Sequence, residues 1–497
     1  MRLAHQGRTW LHRAKPLWRG RARIQDIQNT NGRLFDAPSG DTNLLPSWNW
    51  QNTRGQTNML TFEYDTDYDF QISGGIGYND ARYYGTLISP TISTTDSTQY
   101  NTNTARLTDQ RFQTTSMNLT ARGQFETGAV DHTWSAALDR IDRRRQTYRG
   151  SKAGSSKATI DGTGYIASQL ASFTADYPTT MESTPNLDTR IEVNSLALSD
   201  TMGFADNRYR LTLGGRLQQV EQKNNRDQTK ADASRFSPML MAAWVPQPDL
   251  VVYGNYMEDL EPASLSVDDT TGDTTMAKPR VSRQFEIGVR KNWGDFVTTL
   301  NAFQIRRPGY WRGNTTSGTD FAASGAAAGD EQGIERNRSI EFNVYASLLN
   351  QTLRPSFGLM YLKSQVKDYP NYKDNLVSGV QVVNPSVIAK AGVEWDTPYV
   401  KGLTLSGHVQ YFGKSYQDTQ KQYAFPSYTL VDIGARYQTK LGKNDLTVST
   451  AVENLFNKAY WQVQRGQYDR SFAVLGMPRT YWLRPLQNPR FEYSSKL

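Results

Sequence analysis

The chain has 497 residues, of which 37% are hydrophobic and none is cysteine, and its formal net charge is +8. It contains no run of about eighteen apolar residues, which excludes a transmembrane helix. The lack of cysteine excludes disulfide bonds, thiolate metal sites and cysteine nucleophiles. The four histidines stand far apart without metal-ligand spacing, so a structural zinc site is not expected.

Candidate β-strands follow one another along the chain from residue 57 onwards. In most of them apolar and polar residues alternate, which gives the strand one apolar and one polar face, whereas others, such as 189–201, lose phase midway. We predict seventeen strands: 57–64, 68–90, 111–126, 130–143, 189–201, 208–222, 235–246, 250–258, 280–293, 295–307, 334–348, 352–366, 385–396, 402–416, 425–440, 444–456 and 477–486.

The clearest strands lie in the second half of the chain. Within Arg338–Leu348, the even-numbered residues from Ile340 onwards share an apolar face, and the odd-numbered residues take the other face. Two further alternating stretches flank a tight turn at Leu441–Asn444, and the first of them alternates clearly from Val431. A helical period fits neither region.

The connections between the predicted strands alternate in length. Short turns at 65–67, 127–129, 247–249, 294 and 441–443 are separated by long polar segments at 91–110, 144–188, 259–279, 308–333 and 367–384. This order is typical of an antiparallel β-barrel in the outer membrane, with short periplasmic turns and long external loops. Composition alone also fits a large soluble β-sandwich or propeller, but neither has a reason to alternate its connections.

Four motifs stand out in chain order. They are GDTNLLPSWNW (Gly40–Trp50), KPRVSRQFEIGVRKNWGDFVTTLNAFQI (Lys278–Ile305), GIERNRSIEFNV (Gly333–Val344), and ENLFNKAYW (Glu453–Trp461) followed by GMPRTYWL (Gly476–Leu483). Together they resemble motifs of TonB-dependent outer-membrane receptors, and among these the siderophore receptors. The third motif has RSIE where that family usually shows Arg-Gly-hydrophobic-Glu. The resemblance extends over residues 33–483.

The resemblance implies a domain organisation. Receptors of this family close with about 22 strands around a plugged lumen, so seventeen predicted strands leave about five unaccounted for. We expect an irregular segment over 1–50, as the remnant of an extracellular loop, and the receptor β-barrel over 51–497, without a plug domain. The basic segment 1–24 lacks an apolar core and a cleavage site, so we do not interpret it as a signal peptide. A basic segment of this kind could instead be an arm that binds nucleic acid, but no basic, aromatic or repeat pattern elsewhere in the chain supports that alternative.

An incomplete barrel has consequences that we state as expectations. Strands 57–64 and 477–486 should present unpaired edges, and Pro485 should interrupt the last strand, because proline cannot donate to a ladder. The intact family member resides in the outer membrane, in contact with lipid and with the TonB complex. We expect the segment that contacts TonB to be missing from this chain. We therefore expect the chain alone to stay in the cytoplasm and to perform no uptake.

The resemblance implies uptake of a ferric siderophore as the transported ligand, with no cofactor and no enzymatic activity. A bulky, often anionic ligand would be held by aromatic and arginine side chains of the external loops. The candidate residues are Tyr100, Tyr148, Arg149, Tyr310, Trp311, Arg312, Trp461, Arg465 and Tyr468. The competing interpretation assigns most of them to an aromatic girdle at the same height. We favour Tyr310, Trp311 and Arg312, because they open a long loop directly after a predicted strand.

Two alternatives to siderophore uptake stay open. The ligand could instead be cobalamin or a carbohydrate, and the sequence does not identify which siderophore would bind. An outer-membrane barrel enzyme would need a nucleophile and base at a barrel rim. Asp139, Asp142 and Arg143–Arg145 have the composition of an acid–base cluster, but charges on an inward barrel face typically form a solvated network. His132 near a predicted turn and His408 in mid-strand favour structural roles.

Overall fold

The computed structural model describes the following parts of the chain: residues 2–12, 23–24, 37, 39–41, 50–87, 90–92, 99–102, 106–152, 157–159, 181–226, 228–262, 265–267, 274–276, 279–310, 331–370, 376–380, 384–416, 419–421, 424–442, 444–465 and 471–488. Within these ranges the chain is all-β, with twenty-nine strands numbered β1 to β29 along the chain and no helix. In the same ranges, no helix is long and apolar enough to span a membrane.

Nineteen of the strands form the main sheet. They are β1 Arg2–His12, β3 Gln51–Asp65, β4 Phe70–Leu87, β7 Arg106–Thr127, β8 Val130–Lys152, β10 Leu187–Phe204, β11 Tyr209–Asn224, β12 Thr229–Gln247, β13 Leu250–Glu261, β16 Arg280–Asn292, β17 Phe296–Tyr310, β18 Glu331–Ala346, β19 Leu353–Pro370, β20 Leu376–Val380, β21 Val387–Asp396, β22 Leu403–Phe412, β25 Tyr428–Leu441, β26 Asn444–Glu453 and β29 Thr480–Asn488.

Ten short strands form four small sheets in the connections opposite the short turns. They are β2 Arg23–Ile24 with β27 Trp461–Arg465 and β28 Ser471–Leu475; β5 Pro90–Ile92 with β6 Gln99–Thr102 and β9 Lys157–Thr159; β14 Leu265–Val267 with β15 Thr274–Met276; and β23 Ser415–Tyr416 with β24 Ala424–Phe425.

Antiparallel pairing joins strands that are close in sequence. The registers trace one path, β1-β3-β4-β7-β8-β10-β11-β12-β13-β16-β17-β18-β19-β21-β22-β25-β26-β29, with β20 added to the external end of β19. The turn after β25 is tight: Leu441 pairs with Asn444, and Gly442 has a φ of 64° that suits glycine. All seventeen predicted strands are confirmed.

Two expectations about the ends of the sheet are wrong. Strand β1 pairs with β3 from Arg2↔Glu63 to His12↔Thr53, so 57–64 is not an unpaired edge. Residues 2–12 have no alternating apolar face, which is why the sequence did not predict β1. Strand β29 continues through Pro485, which pairs with Val448. A proline is tolerated in a strand where no ladder bond needs its missing N–H.

The two faces of the main sheet differ in chemistry, because alternating strands pair in a consistent register. Between β18 and β19, Ile340 pairs with Tyr361 and Phe342 pairs with Leu359 on one face. The residue between them, Glu341, points to the other face. We call the apolar side the outer face and the polar side the lumenal face.

The outer face carries a band of exposed apolar side chains. On β12, Phe236, Leu240 and Trp244 are 60%, 46% and 47% exposed. They span about 26 Å along the strand, or about 20 Å of height at the usual barrel tilt, close to the roughly 25 Å apolar band of outer-membrane barrels. Aromatic rings lie at the short turns, where Trp293 stacks on Phe296 with ring centroids 5.9 Å apart. An exposed apolar band of this kind is the surface that lipid covers in an outer-membrane barrel.

Candidate functional site at the external end of the lumen

The external half of β8 is rich in arginine. It lies beyond Leu138, an outer-face residue of this strand that is 52% exposed. The register with β7 directs Arg143, Arg145 and Arg149 to the lumenal face and Arg144 to the outer face. We call the first three the lumenal arginine row. The row begins about 17 Å and ends about 36 Å beyond Leu138 along the strand.

Arg145 has the most defined surroundings in the lumenal arginine row. Its guanidinium carbon lies 5.5 Å from the ring centroid of Phe112, the residue opposite it on β7. Its Nε atom is buried and has no hydrogen-bond partner in the described part of the chain. Burial, and then the charges of Arg143 and Arg149, lower the pKa of Arg145, which lies outside the membrane-spanning part of β8. Arginine nevertheless stays protonated in proteins, so Arg145 is a charged group with no acidic partner among the described residues.

The lumenal positions around the arginine row carry no carboxylate. They are Asn79, Ala81 and Tyr83 on β4, Thr108, Gln110, Phe112 and Thr114 on β7, and Leu187, Thr189 and Ile191 on β10. Burial raises the pKa of the Tyr83 hydroxyl, so this phenol stays neutral. Since no described acid neutralises the row, it makes this part of the lumen electropositive.

On the outer face at the same height, the arginines are paired with acidic residues. Arginine Nε atoms donate to aspartates on neighbouring strands in four pairs, which we call the outer ion-pair row: Arg144–Asp188 at 2.9 Å, Arg190–Asp142 at 2.9 Å, Arg82–Asp109 at 2.8 Å and Arg111–Asp80 at 3.0 Å. The Arg144 guanidinium holds the pKa of Asp188 below its usual value. The two faces of β8 thus differ sharply in charge compensation.

This division corrects the sequence interpretation of one inward charge cluster on β8. Asp142 and Arg144 face outwards and belong to the outer ion-pair row. Asp139 is lumenal, where its carboxylate lies 3.5 Å from the Arg216 guanidinium. The alternating pattern contained this information, because residues one position apart in a strand take opposite faces.

A second polar cluster lies on the lumenal face at the external ends of β13, β16, β17 and β18. The Nε atoms of Arg280 and Arg307 each donate to Glu261 at 2.9 Å. Arg307 also lies 3.7 Å from Glu335, which is only 2% exposed. These bonds fix β17 three residues before Tyr310, where the segment 311–330 begins.

The residues predicted to bind ligand fall in different surroundings. Tyr148 is on the outer face, where it lines a cavity of 640 Å³ with Arg54, Asp80 and Arg111. Arg149 is on the lumenal face, and Trp461 is buried at 4% exposure opposite Leu475.

For the other six predicted residues, the structure gives either only the strand in which they lie or no position at all. Tyr100, Tyr310 and Arg465 lie in β6, β17 and β27, whereas Trp311, Arg312 and Tyr468 lie outside the described residues. The structure therefore joins Arg149 to Arg143 and Arg145, and it separates Tyr148 from them. Ligand binding by all nine residues stays a prediction.

The described histidines and acidic residues form no metal site. Within the described ranges, no group of three or more His, Asp or Glu residues is placed to hold a metal ion. His132 Nδ1 lies 2.7 Å from the Asp200 carboxylate near the β7–β8 turn. His408 is on the lumenal face opposite Asp432. The arrangement is suited to binding a ligand by charge and aromatic contact.

Comparison with protein families gives a match over most of the chain. The family model described as "TonB dependent receptor-like, beta-barrel" matches residues 9–455. A ferrichrome receptor of Yersinia enterocolitica is 24% identical over 444 residues, which cover 86% of this chain and 55% of that protein. The ferrichrome outer membrane transporter/phage receptor of Escherichia coli K12 is 26% identical over 260 residues, covering 50% of this chain and 32% of that protein. The chain thus spans about half or less of these relatives.

Solved structures share the fold. The ferric preacinetobactin receptor of Acinetobacter baumannii superimposes with a TM-score of 0.73 at 24% identity, covering 94% of this chain and 67% of the receptor. The siderophore receptor PiuA of the same organism gives a TM-score of 0.69 at 16% identity, with 94% of this chain and 70% of that receptor covered. The main sheet is therefore a barrel of this type, and the alternating connections are those of its turns and loops.

Proposed function

The chain belongs to the TonB-dependent receptor-like β-barrel family, and on that premise we propose that it forms the transmembrane wall of an outer-membrane receptor for ferric siderophores. The relatives reported above are named as receptors or transporters, which supports a role in transport rather than catalysis. In this proposal the siderophore complex is the cargo, the TonB complex supplies the energy, and outer-membrane lipid contacts the outer face.

One observation carries the proposal at the level of residues, namely the lumenal arginine row. It lies on the side of the wall that lipid does not reach, and at the end where a ligand from outside enters first. A wall with only a structural role would have paired these charges, as the outer face does. An unpaired cationic row with aromatic neighbours is suited to capture a bulky polar ligand.

Direct binding to the full chain tests the proposal. The chain contains eleven tryptophans, so we would refold it into detergent micelles and follow tryptophan fluorescence during titration with a panel of ferric siderophores. The matched controls are the iron-free siderophores, and circular dichroism verifies the β-sheet content of each sample. We expect saturable quenching by at least one ferric complex. A folded chain that binds none of them, or binds only cobalamin or an oligosaccharide in parallel titrations, would refute the proposal.

A further inference from the structure

We infer that the lumenal arginine row selects an anionic ferric complex, one whose carboxylate or other acidic groups leave it negatively charged, over a neutral complex of similar size. The inference rests on the proposed function and adds the charge class of the ligand. It concerns a property on which receptors for different ferric complexes must differ, since their ligands differ in charge.

The first step is the contrast between neighbouring residues of one strand. Arg143, Arg144 and Arg145 are consecutive, and only the middle one faces outwards. There, Arg144 donates to Asp188 through two nitrogens, at 2.9 and 2.6 Å. Arg143 and Arg145 form no ion pair with any described residue. At the height of the row, charge compensation was therefore available to this strand and is found on its outer side, whereas the lumenal ion pair of Asp139 with Arg216 lies nearer the short turn.

The second step is the repulsion within the row. Alternate residues of a strand lie about 7 Å apart, so Arg143 and Arg145 carry like charges at close range. Such an arrangement is unfavourable in the empty site and is relieved when an anion binds between or above the groups. A neutral ligand cannot provide that relief, and this difference is the basis of selection.

The third step is the geometry of Arg145. The Phe112 ring supports one face of the guanidinium at 5.5 Å from its carbon atom. The buried Nε–H donor has no acceptor among the described residues. Because Nε is buried while Arg145 as a whole is half-buried, a carboxylate would meet the two terminal N–H₂ groups, which can donate two parallel hydrogen bonds in the plane of the guanidinium. This is the chemical group that we expect on the ligand.

The fourth step concerns the source of the anion. Lipid headgroups meet the outer face, where the arginines are already paired. The row lies beyond the apolar band, toward the outside, so a ligand arriving from the medium reaches it directly. Acidic residues of another protein segment are the competing occupant, and the experiment below includes that outcome.

The test compares two ferric complexes on the full chain in detergent micelles. The anionic probe is ferric citrate, the neutral probe is a ferric trihydroxamate, and tryptophan fluorescence reports binding. We expect wild type to bind ferric citrate more tightly. Arg145→Gln should weaken that affinity about tenfold, the usual cost of one charge-assisted hydrogen bond to a buried group, and should change trihydroxamate affinity less than twofold. Raising the salt concentration should weaken only ferric citrate binding.

Two variants control for folding and for charge. Arg144→Gln removes the same charge from the opposite face and should leave both affinities unchanged. Arg145→Lys keeps the charge without the planar fork and should retain part of the preference for ferric citrate. Each variant is compared only after circular dichroism matches the wild type.

The outcomes separate the two proposals. If no ferric complex binds the folded chain, the proposed function fails. If ferric complexes bind but the trihydroxamate binds as tightly as ferric citrate, the charge inference is overturned and the proposed function stands. The same conclusion follows if Arg145→Gln and Arg144→Gln are indistinguishable. A third outcome is an Arg145→Gln chain that is less stable than wild type but binds ferric citrate equally well. Because only this chain is present in the assay, the arginine would then have been paired with acids elsewhere in the chain. That outcome would also overturn the inference.

Discussion

Replacing Asn454 by alanine should loosen the external ends of β26 and β29. Asn454 has a φ of 49° and is 4% exposed. Its Nδ2 donates to the carbonyls of Lys458 and Met477 at 3.0 and 2.9 Å, and its Oδ1 accepts the Lys458 N–H at 2.8 Å. One side chain therefore ties the turn after β26 to the chain entering β29.

The magnitude follows from these contacts. Alanine removes three hydrogen bonds, each worth about 0.5–1.5 kcal/mol, so the loss is about 1.5–4.5 kcal/mol. Alanine also holds the positive φ less readily than asparagine, which adds about 1 kcal/mol. Asn454→Gly loses the same bonds but avoids that strain, so it should be less destabilising than Asn454→Ala by about 1 kcal/mol.

Urea unfolding in lipid vesicles, followed by tryptophan fluorescence, measures both differences. Asn457→Ala is the matched control within the same motif, because its Oδ1 accepts a single backbone bond, from Arg479 at 2.9 Å. It should cost less than Asn454→Ala. If Asn454→Ala unfolds like wild type, or if glycine is worse than alanine, the reasoning about this turn is wrong.

Three further predictions follow from other parts of the barrel. Leu240→Arg at the centre of the lipid-facing band should destabilise the vesicle-inserted chain by about 2–4 kcal/mol, whereas Met241→Arg on the lumenal face should cost less in the same unfolding assay. Trp311→Ala should weaken ferric-siderophore binding by about 1–3 kcal/mol if Trp311 is a stacked contact, and unchanged affinity in the fluorescence titration would assign it to the girdle. Lys291 donates to Asp249 at 2.5 Å and lowers the pKa of that carboxyl at the β12–β13 turn. This stabilisation should be present above the unfolded-state pKa and disappear as pH falls through the folded-state pKa, and Asp249→Asn should abolish that pH dependence in refolding titrations.

The positions of the strands could be predicted from the sequence because alternation is a local signal. Most of the seventeen stretches show their two faces within about ten residues, although 189–201 loses phase midway, and contact with lipid favours an apolar outer face on every strand of a membrane barrel. Strand β1 lacks that signal, since residues 2–12 are mixed on both faces. Its position depends on backbone pairing with β3, whose first residue, Gln51, is 39 positions after His12. Pairing of this kind has no local signature in the sequence.

The burial of Trp461, one of the candidate ligand-binding residues, could not be predicted from the sequence either. Trp461 resembles a binding-loop aromatic in the sequence, because it follows the motif ENLFNKAY. Its 4% exposure depends on the small sheet in which Leu475 lies opposite it. Strand β28, which carries Leu475, is separated from β27 by residues 466–470. Aromatic composition thus identifies where a loop begins but does not show which ring faces solvent.

The candidate site illustrates the same limit in its electrostatics. Alternation on β8 predicts that Arg143 and Arg145 share a face, but it does not predict whether an acid neutralises them. That depends on the register of β10, which sets Arg190 opposite Arg144 and thereby brings Asp188 onto the outer face. A slip of one residue between these strands would reverse the faces of β10 and bring Asp188 beside the lumenal row. The positive charge of the lumen is therefore a property of the β8–β10 register, and a variant that shifted this register should lose both the outer ion pairs and the preference for an anionic ligand.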